Sequence, residues 1–134
     1  MYCIDASVIV NSQRPEELHS SRSGAVFNLI EEKNLKVFLP EIVVPEITSA
    51  LVRSTRDLKF AYEFSMALRE LSNFSFVPID NHLANLAAWV ICKTMLKSSD
   101  ALYVALAFDY DLELITLDKE QLERGEKLIK VRRP

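Results

Sequence analysis

Short apolar runs alternate with longer helical segments along the whole chain, and this alternation constrains the fold more than any other feature. The runs at 2–5, 36–39, 74–79, 112–116 and 128–131 are β-branched or aromatic and long enough only for strands. The intervening stretches 6–12, 18–33, 40–54, 57–71, 80–96, 100–110 and 119–124 carry apolar residues at helical spacing or open on capping residues. Strands that alternate with helices build a parallel sheet covered on both faces. The run from Ala101 to Ala107 is apolar almost all round, so its helix is expected to be buried on several sides. Pro40 suits the first turn of the third helix, and Pro45 marks a point where that helix can kink. Asp80 or Asn81 can cap the fifth helix, and Ser98 or Ser99 the sixth.

Length and composition bound the function. The 134 residues fit one domain, 1–134, and 49% hydrophobic with 26% charged residues is globular composition. With 2 glycines there is no Gly-rich phosphate loop, which excludes a Walker loop and a dinucleotide fingerprint. The 2 cysteines, Cys3 and Cys92, show no zinc spacing and make no disulfide scaffold. No apolar stretch approaches the ~20 residues of a membrane span, and residues 1–10 carry Asp5 where a leader would be uncharged. A cytoplasmic protein is expected. The 16 Lys and Arg against 19 Asp and Glu give a net charge of −3. Any nucleic-acid partner therefore needs a local basic group or bound cations to offset repulsion.

The informative acids are Asp5, Glu46, Asp100 and Asp118. Asp5 closes the first strand, Asp118 lies just beyond the fourth, and Asp100 opens the apolar sixth helix. Glu46 stands among Ile42, Val43, Ile47, Ala50 and Leu51. Ligands of parallel sheets bind beyond the carboxyl ends of the strands, where Asp5 and Asp118 fall. If strands one and four are neighbours, these two acids face each other. Carboxylates gathered in one cleft repel, and a hard cation such as Mg²⁺ or Mn²⁺ relieves that repulsion. Two such ions about 3.5–4 Å apart suit phosphodiester hydrolysis. Each acid taken singly also has a simpler reading: a helix cap for Asp5, Asp100 or Asp118, and a solvent-facing position for Glu46.

Four segments carry a family resemblance: Ile4-Asp5-Ala6-Ser7-Val8-Ile9-Val10, Pro45-Glu46-Ile47-Thr48-Ser49-Ala50-Leu51, Ser99-Asp100-Ala101-Leu102-Tyr103-Val104-Ala105-Leu106-Ala107 and Leu114-Ile115-Thr116-Leu117-Asp118. In this order they resemble the PIN (PilT N-terminus) domain family, and in particular VapC-type toxins, the ribonuclease halves of toxin–antitoxin pairs. The resemblance implies a three-layer α/β/α sandwich with a five-stranded parallel sheet in order 3-2-1-4-5. It implies metal-dependent cleavage of single-stranded or structured RNA, with Asp5, Glu46, Asp100 and Asp118 as the metal-site acids and two Mg²⁺ or Mn²⁺ ions. It further implies a homodimer and a cognate antitoxin. Two departures stand out: Asp111 occupies a turn where relatives often have Gly, and residues 92–97 lack a common Gly.

Beside the acids, Ser7 and Thr116 could hold water or a carboxylate, or could serve the fold alone. Arg53, seven residues after Glu46, shares its helix face and could meet a substrate phosphate. Asn11 can reach the cleft or lie on the surface. His19 and His82 fall outside the acidic segments and read as surface or packing residues. Val43, Val44, Phe60, Tyr62, Phe64 and Met66 exceed what one sheet face needs, which points to a two-fold dimer surface. A phospho-acceptor receiver domain needs paired acids after strand one and a Lys after strand five; here Ala6 follows Asp5, and the end of strand five offers only Arg132. An Asp-x-Asp phosphatase fails because Ser7 takes the second acid's place. A PIN fold kept only for interaction would be expected to lose acids, and all four are present.

Overall fold

A computed structural model describes residues 1–134. Five parallel strands form one sheet: β1 (Tyr2–Ile4), β2 (Val37–Pro40), β3 (Phe74–Val77), β4 (Glu113–Ile115) and β5 (Val131–Arg132). Their order is β3-β2-β1-β4-β5, as the resemblance implied, so β1 lies between β2 and β4. Seven α-helices accompany the sheet: α1 (Ala6–Ser12), α2 (Ser20–Glu32), α3 (Val43–Thr55), α4 (Leu58–Ala67), α5 (Asn81–Thr94), α6 (Ser98–Asp109) and α7 (Lys119–Gly125). Cys3, Ile4, Val37, Leu39, Leu114 and Ile115 are almost wholly removed from water. Such continuous apolar strands follow from burial on both faces of the sheet.

Helix α6 is the centre of the core. All seven residues from Ala101 to Ala107 are buried, against β1, β2, β4 and α5. Its alanines keep the helix thin, so it sits close to the sheet and carries Asp100 to the sheet's carboxyl edge. Gly125, at the end of α7, approaches α6 closely: a Cβ there would stand 3.4 Å from Val104 Cγ2. That approach sets α7, and the residues at its start, beside the first turn of α6.

Several boundaries differ from the sequence reading. Pro40 ends β2, paired with Val77, instead of opening a helix. Its strand lies inside the sheet, and Glu41 N–H continues the ladder to Val77 O. Pro45 falls in the first turn of α3, where no intrahelical bond is lost. The expected helix 57–71 stops at Ala67 and tightens into a 3-10 turn over Leu68–Glu70. Its buried face is Ala61, Ser65 and Leu68, while Leu58, Tyr62 and Leu71 are exposed. Neither Ser98 nor Ser99 caps α6; Lys97 is the N-cap and gives no side-chain bond. The fifth strand is later and shorter than 128–131. Val43 and Val44 point into the core, which removes them from the expected dimer surface.

Both segments that lack a common Gly contain a left-handed residue. Asp111 has φ 51°, and Met95, which closes α5, has φ 59°. Aspartate tolerates that region, whereas a methionine there is strained. Met95 is 76% exposed, so its side chain offers little packing in return. Met95→Gly should therefore raise stability, by about 0.5–1 kcal/mol after allowing for the extra freedom of the unfolded chain. Urea denaturation checks this; a loss of stability would contradict the strain argument.

Candidate functional site

The four acids arrive at one cleft from four different elements. Asp5 follows β1 directly, and its N–H still bonds Ile115 O on β4 at 2.9 Å, which fixes it at the sheet edge. Its carboxylate also caps α1, accepting from Ser7 N–H at 2.9 Å. Asp118 follows β4 and caps α7 by accepting from Gln121 N–H at 2.8 Å. Asp100 is in the first turn of α6, and Glu46 in the first turn of α3. All four line one open cleft of about 850 Å³, together with Ser7, Asn11, Glu17 and Arg53. Cap and cleft residue are thus compatible roles for Asp5 and Asp118, because a carboxylate has lone pairs for both.

Ser7 and Thr116 stand beside the acids, and both hold the main chain of the turn from β4 to α7. Ser7 Oγ accepts from Leu117 N–H at 3.2 Å, and Thr116 Oγ1 accepts from Asp118 N–H at 2.9 Å. Together they fix the turn that presents Asp118. Arg53 is the one basic residue lining the cleft; it is exposed and forms no ion pair. His19 lies before α2, and His82 bonds Asp109 at 3.0 Å on α5, so neither reaches the cleft.

Three other residues shape the site. Tyr103 is fully buried on α6 and donates its hydroxyl to Glu46 Oε2 at 2.6 Å. Asn11 is buried, donates to Glu17 Oε2 and Leu18 O, and accepts from Ser23 Oγ. It thereby ties the loop between α1 and α2 to the cleft and brings Glu17 to the rim. Gln121, wholly buried, donates Nε2–H to Asp5 Oδ1 at 3.1 Å and to Asp100 Oδ1 at 3.5 Å. Tyr103 was hidden in an apolar run, although a buried hydroxyl always seeks a partner. Gln121 was hidden in a short helix, although Asp118-x-x-Gln121 has the spacing of a capping box.

Burial and mutual repulsion shape the charges. Asp100 is pushed up to about 6, first by burial and then by Asp118, Asp5 and Glu46. Asp5 is raised chiefly by burial, with Asp118 adding to it against the hydrogen bonds from Ser7 and Gln121. Glu46 is raised by burial and by Asp5, against the Tyr103 hydrogen bond. None of the four acids has a Lys or Arg in salt-bridge contact. An all-oxygen donor set of unpaired, mutually repelling carboxylates suits a hard divalent cation. As the side chains lie, no group of three or more His, Cys, Asp or Glu is gathered closely enough to hold an ion. Gln121 Nε2 bridges Asp5 and Asp100, and Tyr103 holds Glu46 through its hydroxyl. The chemistry of the donors fits the ion, and side-chain rotation would have to bring them together.

These shifts have a measurable sign. Folded-state values above the unfolded ones give stability that is complete below the unfolded value and lost as pH rises through the folded value. With metal removed, the melting temperature should rise as pH falls from about 7.5 to about 5. Asp100→Asn should flatten that profile. Glu41, held low by its hydrogen bonds with Arg69, acts in the opposite sense only below the ordinary carboxylate range. Calorimetry in EDTA checks the slope; a melting temperature that falls steadily toward pH 5 would contradict it.

A search of curated proteins finds no match to the chain. The family model of the PIN domain matches residues 2–127. The chain belongs to the PIN domain family. Solved structures show the same fold at low identity. FitAcB from Neisseria gonorrhoeae is 20% identical, with TM-score 0.71, covering 98% of this chain and 96% of that one. DNA-bound VapBC from Salmonella typhimurium is 16% identical, with TM-score 0.67 over 98% and 96%. A toxin–antitoxin complex from Klebsiella pneumoniae is 19% identical, with TM-score 0.63 over 90% of each chain. No helix of this PIN domain is long and apolar enough to cross a membrane.

Proposed function

We propose that this PIN domain is a divalent-metal-dependent endoribonuclease and the toxin of a toxin–antitoxin pair. The observation that carries the nuclease reading is the convergence of Asp5, Glu46, Asp100 and Asp118 on one cleft without a single ion-pair partner. Asp5, Asp100 and Asp118 would hold Mg²⁺ or Mn²⁺ directly, and Glu46 directly or through water. Two such ions supply an activated water and charge neutralisation at a phosphodiester. The residues of the chain do the rest. Ser7 and Thr116 hold the turn that presents Asp118. Tyr103 orients Glu46. Arg53 on the rim would receive a backbone phosphate, offsetting the repulsion between an acidic protein and RNA. The cleft is open and has no aromatic residue in its lining, so the RNA would be gripped by its backbone more than by stacked bases.

The toxin reading is supported by the company of the fold: similar structures are VapBC and toxin–antitoxin complexes. It places the protein in the cytoplasm with a cognate antitoxin. Incubation with single-stranded RNA and Mn²⁺ tests the nuclease. Internal cleavage is expected; intact RNA across a panel of unstructured and structured substrates would defeat it. Co-expression with the product of a neighbouring small reading frame tests the toxin, by relief of growth arrest.

A homodimer is part of the same proposal. Leu58 and Tyr62, one helical turn apart, leave an exposed apolar pair on α4 that the core does not use. Light scattering at high micromolar concentration should give twice the monomer mass of 15.3 kDa; a monomer would remove α4 as an interface.

A further inference from the structure

We propose that Gln121 is a positioning residue of the cleft, holding the Asp5 and Asp100 carboxylates in the relation from which they take up a cation; this rests on the metal-dependent reading above. Three of the four acids meet on this one residue, two of them on its side chain. Asp118 accepts its main-chain N–H, and its Nε2 reaches Asp5 at 3.1 Å and Asp100 at 3.5 Å. These acids come from three separate elements, so the contacts cross-link the end of β1, the start of α6 and the start of α7 at the cleft floor. The side chain is completely buried, and its Oε1 has no partner. A buried acceptor left unpartnered costs stability. The alternative orientation is worse, because it would set a carbonyl oxygen against two carboxylates. The acids therefore dictate which way the amide points, and the orphaned oxygen is the consequence.

The identity of the residue matters as much as its place. An amide donates two N–H groups without bringing a positive charge. It can align two carboxylates while leaving their charge uncompensated and their other lone pairs open. A Lys or Arg there would neutralise the site from within. An apolar residue would leave the two acids repelling one another with nothing to set their orientation.

The test compares wild type with Gln121→Met, which keeps the buried volume and length but removes both donors. Mn²⁺ binding is read by calorimetry. The positioning role predicts affinity weakened by about 10–100-fold, the usual effect of removing a group that orients a metal ligand. Unchanged or tighter binding by Gln121→Met would overturn it. Wild-type titration reports separately on the metal reading: no uptake by wild type defeats that reading, whereas uptake by wild type with an indifferent Gln121→Met defeats the role of Gln121 alone. A second measurement needs no metal. In EDTA, the effects of Gln121→Met and Asp5→Asn on the denaturation midpoint should be non-additive, since each removes the same contact. Simple additivity would overturn the proposal. If Gln121→Met fails to fold, Gln121→Asn replaces it, keeping the amide but withdrawing it by one methylene, with the same weakened binding expected and the same reversal decisive.

Discussion

Asp5→Asn should lower RNA cleavage by about 1000-fold or more, equivalent to about 4 kcal/mol of transition-state stabilisation, while leaving the metal-free protein at least as stable as wild type. The two halves of this result have different causes. The lost activity follows from removing the most buried of the four acids, the one whose main chain is pinned to β4. The retained stability follows from what the amide keeps. Asparagine is as good an N-cap as aspartate, so the bond from Ser7 N–H survives. The desolvated charge disappears, and with it the repulsion toward Asp100, Glu46 and Asp118. Asp5→Ala is the control: it relieves the same charge but loses the cap, at a cost of about 1 kcal/mol. Thermal denaturation in EDTA checks the order. A marked drop for Asp5→Asn would show that the carboxylate is a structural member of the fold and not a strained one.

That opposition between activity and stability is the physical signature of a site, and the sequence carried part of it. The four acids were legible because each sits at a junction: a strand end, a helix start, or an apolar helix where a charge is costly. Strand–helix alternation established a parallel sheet, since nothing else buries short runs such as Val37-Phe38-Leu39 on both faces. It could not order the strands; that order came from the resemblance, and hydrogen bonding between β1 and β4 bears it out. Boundaries failed where a residue can play two parts. Pro40 fits a helix start and a strand end equally well, and pairing with Val77 decides it. The apolar residues of α4 follow helical spacing, but Ser65 lies inside the buried face while Tyr62 lies outside, because Ser65 meets Thr48 Oγ1 at 2.7 Å. Gln121 was beyond reach for a similar reason. Its spacing from Asp118 marks a local cap, yet its side chain serves Asp5, 116 residues away along the chain.

The chemistry of the products is the other large effect. Cleavage should leave 5′-phosphate and 3′-hydroxyl ends, and EDTA should abolish it. What the cleft offers an attacking 2′-hydroxyl decides between the two kinds of product. Ribonucleases that use the 2′-oxygen need a base and an acid, commonly histidine, within hydrogen-bond reach. Here His82 is spent on Asp109, on the face made by α5 and α6, and His19 precedes α2 outside the cleft lining. The cleft carboxylates offer no replacement acid–base pair of that kind: Asp5 is tied to Ser7 and Gln121, Glu46 to Tyr103 and Asp118 to α7. Asp100, pushed up to about 6, and Asp5 and Glu46, both raised by burial, have no His, Lys or Arg in contact to complete such a pair. Without that pair the cleft is poorly equipped both to deprotonate a 2′-hydroxyl and to protonate the leaving 5′-oxygen. Attack by water is therefore the expected course, with the carboxylates holding the cations of the proposed metal site. Mg²⁺ or Mn²⁺ should restore the EDTA-treated protein, and Ca²⁺ should restore little because its looser coordination holds a reacting water less well. End-group analysis of a short labelled RNA separates the outcomes: 2′,3′-cyclic phosphate ends, or cleavage that persists in EDTA, would exclude water attack at this site while leaving the PIN fold intact.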